Sequence, residues 1–142
     1  MATQNAEATW EGSLREGKGS MKLGSGYEGP FTFASRFETA DGTNPEELIG
    51  AALAGCFSMA LSAGLGRAEF NPTKIHTTAK VHLERINEQL TINKIELSTT
   101  AEIPDIDEDT FMDHVTTAKD TCIVSRALAG VNEITIEATL NS

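Results

Sequence analysis

Alternation of apolar and polar positions predicts three strands. Ile75, Thr77, Ala79, Val81 and Leu83 alternate with His76, Thr78, Lys80, His82 and Glu84, the two-residue period of a strand with one covered face. Asn87-Glu88-Gln89 interrupts the pattern as a turn, and a second strand runs from Leu90 to Ile103. Its apolar set changes face near Asn93: Leu90 and Ile92 share one side, while Ile95, Leu97 and Ile103 share the other. An extra residue, a β-bulge, is the physical way to reset that phase. Ile134, Ile136, Ala138 and Leu140 mark the third strand, from Asn132 to Leu140.

Helical punctuation lies between these strands. Asn44-Pro45-Glu46-Glu47 reads as a helix start. Asn44 caps free N–H groups, Pro45 suits the first helical position, and both acids favour the positive end of the helix dipole. The helix is expected to reach about Gly66, roughly 30 Å at 1.5 Å per residue. It is apolar nearly all round, so it is expected to be buried on every side. Its small residues, among them Gly50, Ala51, Ala54, Gly55, Ala60 and Ala63, permit close approach by a neighbour. Asp107 caps a second helix to about Lys119, with Phe111, Val115 and Ala118 on one face. Thr121-Cys122 opens a short third one, Ile123 to Ala129, ended by Gly130.

Upstream, Ala6 to Glu11 and Ser20 to Leu23 read as a β-hairpin region, and Phe31-Thr32-Phe33 is strand-like. Gly24-Ser25-Gly26-Tyr27-Glu28-Gly29 has the spacing of a dinucleotide-binding loop. That chemistry needs a helix to follow, and Pro30 with a strand follows instead, so the glycines read as a turn. The order of elements predicts an α+β fold, a largely antiparallel sheet covering a buried helix. One chain has few elements to enclose an all-apolar helix, so a homodimer is expected.

Composition narrows the function. The 142 residues suit a single domain spanning 1–142. The net charge of −10, from 11 basic and 21 acidic side chains, argues against nucleic acid or an anionic membrane as partner. Leu48 to Leu65 is uncharged, at the lower edge of a membrane span. It is rich in Gly, Ala and Ser, flanked by Glu46-Glu47 and Arg67 and without an aromatic belt, and reads as a core helix. Met1 to Asn5 lacks a basic stretch followed by an apolar one, so a cytoplasmic protein is expected. In a compartment that keeps thiols reduced, Cys56 and Cys122 are either inert buried residues or redox-active ones.

Taken alone, Cys56 in its apolar helix reads as an inert core residue. Cys122, at or near a helix start, is expected to have its thiol pKa lowered by the dipole. The other candidates are weaker. His76 and His82 stand six apart on a strand, His114 reads as a helix-surface residue, and no spacing suits zinc or any other metal. Phe33, Phe57, Met59, Phe111 and Met112 are either pocket lining or plain core.

Asn44-Pro45-Glu46-Glu47-Leu48-Ile49-Gly50-Ala51-Ala52, running into Ala54-Gly55-Cys56-Phe57, resembles the signature of the OsmC/Ohr family, the osmotically inducible and organic hydroperoxide resistance proteins. Trp10-Glu11-Gly12, Ser35-Arg36-Phe37-Glu38 and Cys122-Ile123-Val124-Ser125 extend the resemblance over essentially the whole chain, closer to the OsmC branch. It implies a mostly antiparallel sheet wrapped around a long central helix in an intertwined homodimer. It also implies a thiol-dependent peroxidase without a cofactor, acting on organic hydroperoxides. Cys56 matches the peroxidatic cysteine, Cys122 the resolving cysteine, Arg36 the active-site arginine and Glu46 its partner. The recycling dithiol implied is a lipoylated protein. One departure is Ile123, where the family often has proline.

The chemistry suits these residue types. Desolvation alone would keep Cys56 protonated, and a permanent cation such as Arg36, gripped by Glu46, reverses that. Attack on a peroxide leaves a sulfenic acid, which a second thiol traps as a disulfide. An apolar pocket favours alkyl or fatty-acid peroxides over hydrogen peroxide. Glu46 and Cys56 lie roughly 15 Å apart along one straight helix, so Arg36 and Glu46 are expected to act across the dimer. Two other classes remain open on the same fold: a non-catalytic module holding a small apolar ligand, and a redox sensor.

Overall fold

The structure, a computed structural model, describes residues 2–141 and resolves the predicted strands into two three-stranded sheets rather than one. The chain divides into two compact units between Leu48 and Ile49, within the first turn of a long helix.

In the first unit, β1 (Ala6–Glu11), β2 (Lys18–Leu23) and β3 (Glu28–Phe31) form an antiparallel sheet in that order. The glycine-rich segment is the turn between β2 and β3, with Gly26 at φ +105°. Gly19 lies between two rings: a Cβ there would come within 2.6 Å of Trp10 and 2.7 Å of Phe31. Its absence lets those rings meet at 5.3 Å between centroids.

The strand expected to continue through Phe33 stops at Phe31. Residues Phe33–Phe37 form a short helix, α1, instead. A local hydrogen-bond pair explains the change: the Ser35 N–H donates to Thr32 Oγ1 at 3.0 Å, and the Thr32 N–H donates to Ser35 Oγ at 2.9 Å. This capping box satisfies two donors that an extended chain would leave for a neighbouring strand. The Ser35 hydroxyl also reaches the Thr43 carbonyl at 2.8 Å, tying α1 to the loop that precedes the long helix.

The long helix, α2 (Pro45–Arg67), begins as predicted, with the Glu47 N–H donating to Asn44 Oδ1 at 2.8 Å. In the second unit it packs against β4 (Lys74–Ile86), β5 (Gln89–Glu102) and β6 (Glu133–Asn141), together with α3 (Glu108–Thr121) and α4 (Ile123–Ala127). Leu53, Phe57, Leu61 and Leu65 recur every fourth residue and are fully buried against Ile95, Leu97, Phe111 and Val115. Helix α2 is long and apolar enough to cross a membrane by length and composition, but this row is what a core helix presents.

The helix is not buried on every side. Ala51, Ala52, Gly55, Met59, Ser62, Ala63 and Gly66 are exposed. The sequence could not show this, because Ala and Gly on the open side look as apolar as the buried leucines.

Strands β4 and β5 are antiparallel, joined by a tight turn with Asn87 and Glu88 both at positive φ, 50° and 65°. The expected bulge is present: His82 pairs with Lys94 and Leu83 with Ile92, leaving Asn93 as the extra residue. Strand β6 joins the other side of β5 in parallel, the one parallel pair among the described strands of a largely antiparallel arrangement. A parallel return needs a long crossover, and α3 with α4 supplies it. Asp107 caps α3 by accepting the Thr110 N–H at 2.7 Å.

Three hydroxyls tie α2 to the sheet. Ser58 Oγ lies 2.8 Å from Thr77 Oγ1, which lies 2.9 Å from Thr99 Oγ1. Ser58 and Thr99 donate onward to the carbonyls of Ala54 and His76, so each buried oxygen has a partner.

Candidate functional site

Two thiols, 66 residues apart in sequence, meet in the second unit. Cys56 lies on α2 beside the fully buried row and is half-buried, whereas Cys122 lies between α3 and α4 and is 2% exposed. Both are free. Cys122 closes α3, where its N–H donates to the Ala118 carbonyl at 2.9 Å, and it opens α4 without a side-chain cap. The chain turns sharply there, and the Val124 N–H donates to Cys56 Sγ at 3.4 Å.

The expectation that Cys122 would be acidified by a helix start is overturned. Burial pushes its thiol up, and the neighbouring Cys56 pushes the same way. The N–H groups of Ser125 and Val124 pull it down but do not prevail. Helix α4 spans only five residues, and desolvation of a nearly buried thiolate outweighs what so short a helix offers.

In the first unit, Arg36 stands on α1 and Glu46 in the first turn of α2. They form a two-pronged pair: Nε donates to Oε1 at 2.8 Å and a terminal nitrogen to Oε2 at 3.0 Å. The Glu46 side chain is 11% exposed and that of Arg36 38%, so the carboxylate is the buried anchor and the guanidinium faces outward. The Arg36 guanidinium also lies 5.1 Å from the centre of the Phe37 ring. Both residues were singled out by the family resemblance; the capping of α1 is what puts Arg36 on a helix within reach of Glu46.

Beside Arg36 lies an apolar cavity of about 250 Å³, lined by Trp10, Leu14, Phe31, Thr32, Phe33 and Phe37 as well as Arg36. Of the five residues expected either to line a pocket or to fill core, only Phe33 belongs to this cavity. Phe57 and Phe111 are fully buried core, Met112 packs on that core, and Met59 is 76% exposed. Trp10, Leu14, Phe31, Thr32 and Phe37 were missed as lining residues. Only the cross-strand pairing of Trp10 with Gly19, and of Gly19 with Phe31, brings the aromatic residues together. The Val124 amide was missed because a backbone donor carries no side-chain signature.

Comparison with known proteins bears on the whole chain. The family described as OsmC-like protein matches residues 38–137. The chain is 46% identical over 141 residues to the Escherichia coli (strain K12) protein named Peroxiredoxin OsmC, covering 98% of this chain and 97% of the relative. Among solved structures, an organic hydroperoxide resistance protein from Elizabethkingia anophelis superposes with a TM-score of 0.75 at 27% identity, over 100% of this chain and 97% of that one. An OsmC-like protein from Mycoplasma pneumoniae superposes at 0.79 with 16% identity, covering 99% of each chain, which speaks to the fold alone. With its α+β architecture, its capped Asn-Pro-Glu helix leading to Cys56, and a second thiol brought beside it, the chain belongs to the OsmC family.

Proposed function

We propose that this protein is a thiol-dependent peroxidase that reduces organic hydroperoxides to alcohols through Cys56 and Cys122. The observation that carries the reading is the pair itself: two free thiols side by side, one half-buried with a hydrogen-bond donor on its sulfur, the other enclosed. The relatives named peroxiredoxin and organic hydroperoxide resistance protein support it.

The Cys56 thiolate attacks the distal peroxide oxygen. An S–O bond forms as the O–O bond breaks, and the alkoxide takes a proton and leaves as the alcohol. Cys122 then gives up its proton and attacks the Cys56 sulfur. An S–S bond forms, the S–O bond breaks, and the oxygen leaves as water. An external dithiol returns two electrons by exchange and is itself oxidised to a disulfide. A lipoylated protein is the reductant proposed, in the cytoplasm.

Arg36 is assigned to stabilise the Cys56 thiolate and the departing oxygen, and Glu46 to hold the guanidinium fork in place. The rigid two-pronged pair and the cavity beside it support these roles. We further propose a homodimer in which Arg36 and Glu46 of one chain serve Cys56 of the other. The exposed small-residue face of α2 and the lack of a buried apolar core among the described residues of the first unit both call for a covering surface. For the same reason the two units are assigned to one domain.

The test is consumption of cumene hydroperoxide in the presence of a dithiol. Cys56→Ser is expected to abolish turnover, and Cys122→Ser to stop after a single event per chain. If the reduced wild-type protein never forms the internal disulfide on exposure to peroxide, the reading fails. Mixing Cys56→Ser chains with Glu46→Ala chains checks the shared site: restored activity in the mixture supports it, and none overturns it.

A further inference from the structure

The Val124 amide points to a role that no side chain in the chain advertises. The first N–H groups of any helix have no acceptor within it. In α4 the helical bonds begin with the Arg126 N–H on the Cys122 carbonyl at 3.0 Å and continue with the Leu128 N–H on the Val124 carbonyl at 2.9 Å. The Cys122 side chain makes no cap bond, although the Ser125 and Val124 N–H groups lie near enough to its sulfur to pull that thiol down. The Val124 N–H finds its acceptor 68 residues away, in Cys56 Sγ at 3.4 Å.

We propose that the backbone N–H of Val124 is a catalytic hydrogen-bond donor to the Cys56 thiolate, so that the segment carrying the resolving thiol also activates the attacking one. This rests on the peroxidase function proposed above. A partly buried N–H needs an acceptor, and an anionic sulfur is a stronger one than a neutral thiol, so the contact favours the reactive form. The contact is a single aimed donor and draws on no helix dipole. Cys122 is the titratable group set against Cys56, and its burial keeps it a thiol at neutral pH. Arg126, the charged residue of α4, is exposed.

The assignment also resolves the departure at Ile123. Proline there would preorganise the turn, but the N–H that reaches the sulfur belongs to the next residue. Any residue except proline at 124 supplies it. The donor therefore survives the substitution at 123 and is invisible to motif comparison.

Cys122 offers a direct test, because it is a ready junction for chemical ligation. A recombinant 1–121 thioester joined to a synthetic 122–142 peptide yields the full chain, with one amide replaced by an ester where wanted. An ester at 124 removes this N–H and little else. An ester at 126 removes a helical bond of the same segment and leaves the sulfur contact intact. Alkylation by iodoacetamide is read at Cys56 by mass spectrometry across pH, and single-turnover peroxide reduction is followed separately.

With the ester at 124, both rates are expected to fall about tenfold at pH 7 and to match the all-amide protein at pH 10. The ester at 126 is expected to change neither. If the ester at 124 fails to fold, as judged by circular dichroism, recombinant Val124→Pro lacks the same donor and is expected to show the same drop. Equal profiles for the two esters, or no shift at 124, would overturn the proposal. If the all-amide protein shows the alkylation profile but is inert to peroxide, the peroxidase function fails and the donor assignment stands.

Discussion

The two units solve the problem of order in opposite ways. Every buried apolar side chain among the described residues belongs to the second unit, in one cluster from α2, β5, Ile103, α3 and Cys122. The first unit buries Gly29, Ser35, Thr43 and Glu46 and leaves all of β1 exposed. It is organised by directed contacts: the capping box of α1, the Ser35 hydroxyl on Thr43, and the fork of Arg36 on Glu46. Apolar burial is strong but has little direction, so it suits a scaffold that must hold two sulfurs together. Hydrogen bonds contribute less net stability and fix orientation, which suits presenting a guanidinium beside an open aromatic cavity.

Mutation can sharpen or break that contrast. The largest effect is expected in the apolar core: Phe57→Ala should cost about 3–5 kcal/mol in urea unfolding. Phe33→Ala, at the rim of the cavity in the first unit, should cost about 1 kcal/mol or less. Equal costs would show that the first unit has a hidden apolar core in the assembled protein. An intermediate effect is expected at Ser35→Ala, which removes the hydroxyl's partners in the capping box and at Thr43, at about 1–2 kcal/mol. Its peroxidase rate should fall further than that of an equally destabilised core variant, because Arg36 sits on the same short helix.

The smallest effect concerns pH. Burial raises the Cys122 thiol above its ordinary value of 9.0. A group raised in the folded state binds its proton more tightly there than when unfolded, so its contribution is intact below that value and declines as pH rises beyond it. Reduced wild-type protein should lose stability as pH rises above 9.0 more steeply than Cys122→Ala. Parallel curves would remove Cys122 as the source.

Much of this was legible because it is local. The Asn44 and Asp107 caps, the turn at Asn87-Glu88 and the bulge at Asn93 follow from side chains that bond their own neighbourhood or from a phase change that the pleat must absorb. The start of α1 was equally local and was misread, because Phe31-Thr32-Phe33 alternates like a strand while Thr32 and Ser35 together cap a helix. Arg36, Glu46, Cys56 and Cys122 were singled out through family resemblance. Their residue types alone would have left Cys56 as an ordinary core thiol.

The sequence by itself determined most of the elements, many of their ends, the apolar rows that face the core and the membership of the family, since each depends on contacts a few residues apart or on a recognisable string. Only the tertiary structure decided that β6 runs parallel to β5, that one side of α2 stays open, that Cys122 is raised rather than lowered, and that a backbone amide from 124 reaches the sulfur at 56. These depend on which distant segments share a surface and on how much water is excluded between them. Neither quantity is carried by any short stretch of chain.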